Sequence, residues 1–173
     1  GAAIEDIRDK LKSRVEKAKA DMKALPDGVT DEEVIGAKEF LKLDEDELEA
    51  LETDLGKLLQ DVLDSIKQRP EAERRHLVEE MTRILEKADP DKAITRLETL
   101  LTIIDKDIPG REHVLLSLAK LYGAKGENKK VRTTVGTLLL EMHDIHHNIR
   151  LEATLLYSRA SMEEKDYMFA INN

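Results

Sequence analysis

Between Arg111 and His143 the apolar positions outline a helical hairpin. Val114, Leu115, Leu118, Ala119, Leu121 and Tyr122 recur at three- and four-residue steps and mark one side of a first helix. Gly126-Glu127-Asn128 reads as the turn, and Val131, Val135, Leu138, Leu139 and Met142 return along a second helix. The pattern repeats upstream. Ala88 aligns with Gly126, Ala93 with Val131, Leu97 with Val135, Leu100 with Leu138 and Leu101 with Leu139. Downstream, Lys165, Ala170 and Asn173 continue the series, giving a period of about 38 to 39 residues. A lone helical pair cannot bury its apolar side, so neighbours stack and share a core. Antiparallel helix pairs are therefore expected over residues 71–173, with Ala88 and Gly126 at equivalent turns.

Residues 1–70 read as an acidic helical segment that packs on or caps these pairs. A first helix runs from about Ile4 to Leu25, with Ile4, Ile7, Leu11, Val15, Met22 and Leu25 on one stripe, and Pro26-Asp27-Gly28 ends it. Packing within the domain is the favoured use of that stripe over a coiled-coil partner. Thr30 to Glu33 has the form of a capping box opening a short helix that carries Phe40 and Leu41. Asp44 then caps a long helix to about Gln68, its stripe running from Leu48 through Ile66. Further helices start at Pro70 and at Asp89-Pro90, and Ile108-Pro109-Gly110 breaks the chain before the central hairpin. The sum is an all-α chain of about nine helices.

The central unit resembles the tetratricopeptide-repeat class. Ala119 stands at that family's eighth position, Tyr122 at its eleventh and Gly126 at its fifteenth. The flanking units carry Asp89 to Ala93 and Lys165-Asp166-Tyr167 followed by Ala170. Val131 and Leu138 fall where the family prefers alanine, and the period exceeds its usual value of about 34. Those departures resemble the degenerate repeats of PCI-type scaffold subunits. The resemblance implies a right-handed stack whose first helices line a groove. In that register Arg75, Val78, Thr82 and Glu86 face the groove from the first pair, and His113, Leu116 and Lys120 from the second. Glu152, Leu155, Arg159 and Met162 follow from the third. An apolar floor with Arg75, Lys120 and Arg159 along it suits an acidic or amphipathic protein segment; charges that merely solvate an exposed face are the plain alternative. Ala119 and Gly123 replace the Lys and Asn of the carboxylate clamp, which argues against a chaperone-tail receptor.

Composition narrows the remaining classes. There is no cysteine, so no disulfide framework or thiolate chemistry is implied. No run of eighteen apolar residues occurs, so no membrane partner is expected. The net charge is −9, and the stretch from Asp27 to Asp64 holds fourteen acids against three bases. With only five aromatic residues besides, this argues against nucleic acid, which needs basic grooves and stacking rings. A cytoplasmic setting is expected. The Gly-Ala-Ala start reads as a tag-removal scar, and the whole as part of a longer protein.

One motif carries candidate chemistry. His143-Asp144-Ile145, with His113 upstream, resembles the HD class of metal-dependent phosphohydrolases. That resemblance implies a divalent metal on His113, His143, Asp144 and Asp166, activating water as nucleophile. Glu141 and Met142 replace the usual apolar residues before the dyad, and His146-His147 replaces the Gly-Lys after it. Polar residues in an interhelical turn are the plainer reading. The acids Asp44 to Glu47 lack the glycine and distant Glu of a calcium loop, and suit the first turn of a helix. The favoured reading is a non-enzymatic interaction scaffold without catalytic residues or cofactor. An HD-like phosphohydrolase is the alternative, and an engineered helical protein without natural ligand a further one.

Overall fold

Sequence signals at helix starts are realised where the chain can close its own hydrogen bonds. In the computed structural model, which describes residues 2–23, 37–141 and 145–172, all described regular structure is helical. The helices are α1 (Ala2–Lys23), α2 (Glu45–Ala50), α3 (Leu55–Ser65), α4 (Glu71–Leu85), α5 (Pro90–Ile103), α6 (Arg111–Ala124), α7 (Asn128–Glu141) and α8 (His147–Asn172). Residues 37–40 add a ninth helical segment. The expected box at Thr30 to Glu33 lies outside the described residues. The chain divides into two units, Gly1–Leu77 and Val78–Asn173, with the division inside α4.

In the first unit Asp44 closes a reciprocal capping box. Its carboxylate accepts the Glu47 N–H at 2.8 Å, while the Glu47 carboxylate accepts the Asp44 N–H at 3.4 Å. The acidic run thus serves a helix start. The single long helix expected from Asp44 to Gln68 is instead two, separated by a turn at residues 51–54. Three-residue backbone bonds tighten this turn, among them Asp54 N–H to Leu51 O at 2.7 Å. The turn lets Leu48, Leu51 and Leu55 all reach one core with Phe40, Leu59 and Val62. Helix α1 lies against α2, burying Ile7 and Leu11, and Arg8 and Arg14 reach Asp61 and Glu47 at 3.8 and 3.5 Å.

In the second unit α6 is the central element, packed against α5, α7 and α8. Glu112, Val114, Leu115, Leu116, Ser117, Leu118, Ala119 and Tyr122 are all buried, and Lys120 and Ala124 are its exposed positions. Its start needs Gly110, whose φ of 97° is left-handed, and the turn to α7 needs Gly126 at φ 73°. Asp89 caps α5, accepting the Lys92 N–H at 3.2 Å, with Pro90 at the first position.

Ala88 and Gly126 both sit in the turns that join successive helices, as the offset requires. The same offset recurs in hydrogen bonding. Thr95 and Thr99 on α5 donate to the carbonyls of Asp91 and Thr95, and Thr133 and Thr137 on α7 donate to those of Lys129 and Thr133. Helix α8 passes Lys165 without interruption, because nothing there matches the glycine that takes the left-handed angle at Gly126.

Candidate functional site

Helix α8 is built with two apolar sides. Ala153 and Ala160, seven residues apart, are buried toward α6 and α7, with Ile149 and Leu156 half-buried beside them. Leu151, Leu155 and Met162 fall on the opposite side at helical spacing. They are 52%, 60% and 65% exposed. A surface helix ordinarily keeps its outer side polar, whereas α8 exposes large apolar side chains there. Alanines let α8 approach closely, and the larger side chains are left for something else.

Ion pairs strengthen the inner contact and settle which charges remain outside. Lys120 of α6 holds the Glu152 carboxylate at 2.6 Å, and Arg132 of α7 pairs with Glu164. Glu152 and Glu164 are thereby turned toward the body of the unit. Among the described side chains bordering the outer stripe the charges are Arg159 and Lys165, and neither makes an ion pair with a described residue.

A cleft of about 330 Å³ opens beside Arg159, between α6, α7 and α8. Its apolar lining is Gly123, Ala124, Val131, Leu156 and Ala160. Lys120, Asn128, Arg159 and Glu163 supply the polar groups. Gly123 makes room without being needed by the backbone. It lacks a positive φ, and a Cβ there would meet only the Val131 Cγ2 at 3.7 Å, an ordinary contact.

No protein-family model, curated protein or solved structure matches the chain.

The groove residues expected from the sequence are divided by the structure. Lys120 and Arg159 come together at the cleft, and Leu155 and Met162 lie on the exposed stripe. Val78, Thr82 and Leu116 are buried, which corrects their expected place on a groove floor. The Thr82 hydroxyl donates to the Val78 carbonyl at 2.8 Å, satisfying itself within α4, and Leu116 belongs to the enclosed α6. Arg75 lies in the first unit and pairs with Glu71 at 3.1 Å. His113 is half-buried, with Nε2 3.9 Å from a Glu79 oxygen and 4.0 Å from Glu112. His143 and Asp144 lie outside the described residues, as does the side chain of Asp166. Among the described residues no three His, Cys, Asp or Glu side chains are gathered as metal ligands. Nor is any described helix long and apolar enough to cross a membrane.

Sequence reasoning missed Leu151 and the small residues of the cleft. The signal was present in α8, where alanines and large aliphatics alternate sides at the helical period.

Proposed function

We propose that the chain is a non-enzymatic interaction module that holds an acidic, amphipathic helix of another protein along α8. On this reading its helix pairs stack as a right-handed, tetratricopeptide-like solenoid. The exposed stripe of Leu151, Leu155 and Met162 carries the proposal. Burying large aliphatic side chains supplies affinity, and each fully buried one is worth about 1.5–3 kcal/mol. Arg159 and Lys165 beside the stripe favour a partner bearing carboxylates.

The test uses a labelled helical peptide of about 18 residues, five turns. It carries leucines at helical spacing and glutamates on either side, with a lysine-flanked peptide as control. Fluorescence anisotropy is expected to show binding of the acidic peptide that weakens with added salt. The exposed changes Leu155→Asp and Met162→Asp together should remove it. Equal binding of the two peptides, or indifference to the double substitution, overturns the proposal.

A further inference from the structure

The cleft beside Arg159 has a chemistry narrower than the open stripe. We infer that it is the anchor pocket of the docking surface, taking one aliphatic side chain of the partner helix whose neighbouring carboxylate pairs with Arg159. This rests on the reading of α8 as a docking face, and it adds where specificity resides.

Three observations support the pocket. First, the cavity exists because Gly123, Ala124 and Ala160 converge and present little side chain. Gly123 sits inside α6, where glycine is unfavourable relative to alanine. Neither a left-handed angle nor a close approach explains it, since the nearest atom to an added Cβ is an ordinary 3.7 Å away. Gly136 of α7 also has open space around it, but borders no part of this cleft. Second, the volume of about 330 Å³ lies at the small end of ligand sites, and its lining pairs apolar walls with a few polar groups.

Third, the rim charges are already sorted. Lys120 is occupied by Glu152 at 2.6 Å, whereas Arg159 and Glu163 make no ion pair among the described residues. Arg159 is therefore the cation offered to an incoming acid. Glu163, one turn further along α8, repels a second acid at that level and accepts a base or a neutral polar group. An aliphatic anchor flanked by one acid fits this arrangement.

The experiment compares two peptides that differ only at the anchor, leucine against alanine, on the full chain and on variants. For the unaltered chain the leucine peptide should bind about tenfold more tightly, as burial of one aliphatic side chain implies. Ala124→Leu fills the cleft from an exposed position, and should bring the two affinities together while circular dichroism and Tm stay unchanged. Gly123→Ala should narrow the difference partway, and Arg159→Glu should weaken both peptides. If the leucine preference survives Ala124→Leu, the pocket assignment is overturned while the α8 docking face stands. If the peptides also bind regardless of Leu155→Asp with Met162→Asp, both readings fall. Concentration-dependent self-association abolished by Ala124→Leu would assign the cleft to a second copy and overturn the inference as well.

Discussion

The Lys120 ammonium lies 2.6 Å from the Glu152 carboxylate, tying α6 to α8 across the inner side of the last helix. A cation that the repeat register offers to a partner is thus engaged within the chain. Both side chains are about half exposed, so the pair should contribute about 0.2–1 kcal/mol. Lys120→Glu is expected to lower stability in urea by about that amount or somewhat more, through repulsion. Adding Glu152→Lys should restore most of it. Additive losses in the double variant would show that the two side chains are not coupled.

Leu118, 1% exposed at the centre of α6, tests the core. Leu118→Asp places a carboxylate where α5, α7 and α8 close around the helix, at a cost of several kcal/mol, or about 3 at least. A denaturation midpoint close to that of the unaltered chain would mean that α6 is not enclosed.

Two glycines three residues apart should respond with opposite sign. At Gly126 the φ of 73° strains any residue with a Cβ, so Gly126→Ala should destabilise by about 1 kcal/mol. At Gly123 the angle is ordinary and an added Cβ would make only an ordinary contact with Val131, so Gly123→Ala should stabilise by about 0.5–1 kcal/mol. Thermal unfolding of the two variants side by side is the measurement. Equal shifts would contradict the geometry of the α6–α7 turn.

The Tyr122 hydroxyl donates to the Glu98 carboxylate at 2.6 Å, joining α6 to α5. Burial, then this bond to an anion, raises the tyrosine's pKa well above its ordinary value. A raised folded pKa means that the associated stability is present below the unfolded value of about 10 and is lost as pH rises beyond it. Stability should therefore fall above about pH 10, and Tyr122→Phe should flatten that fall. At neutral pH the same substitution should cost about 1–2 kcal/mol. An unchanged alkaline slope would remove Tyr122 as its source.

Local chemistry was legible where a few neighbouring residues complete their own hydrogen bonds. Asp44 with Glu47, Asp89 with Pro90, and the glycines at 110 and 126 needed only their own short segments to declare a cap or a turn. The 38-residue offset between Ala93 and Val131 likewise marked equivalent buried positions, since periodicity records which side of a helix meets a core. A break within an otherwise perfect stripe was not legible. Leu48 through Ile66 fits one helix as well as two, and only the shared core with Phe40 decides that the chain turns at 51–54.

The sequence by itself determined the all-helical class, several helix ends and the apolar side of most helices, because these follow from spacing and from single-residue backbone preferences. Only the tertiary structure decided which apolar residues are covered. Val78, Thr82 and Leu116, expected on a groove floor, are buried, while Leu151, Leu155 and Met162 remain open. The same holds for charge. Lys120 and Arg159 look alike in the chain, but Glu152 of another helix reaches one and no described acid reaches the other. Coverage and pairing depend on residues distant in sequence, and a helical period carries no record of which neighbour will arrive.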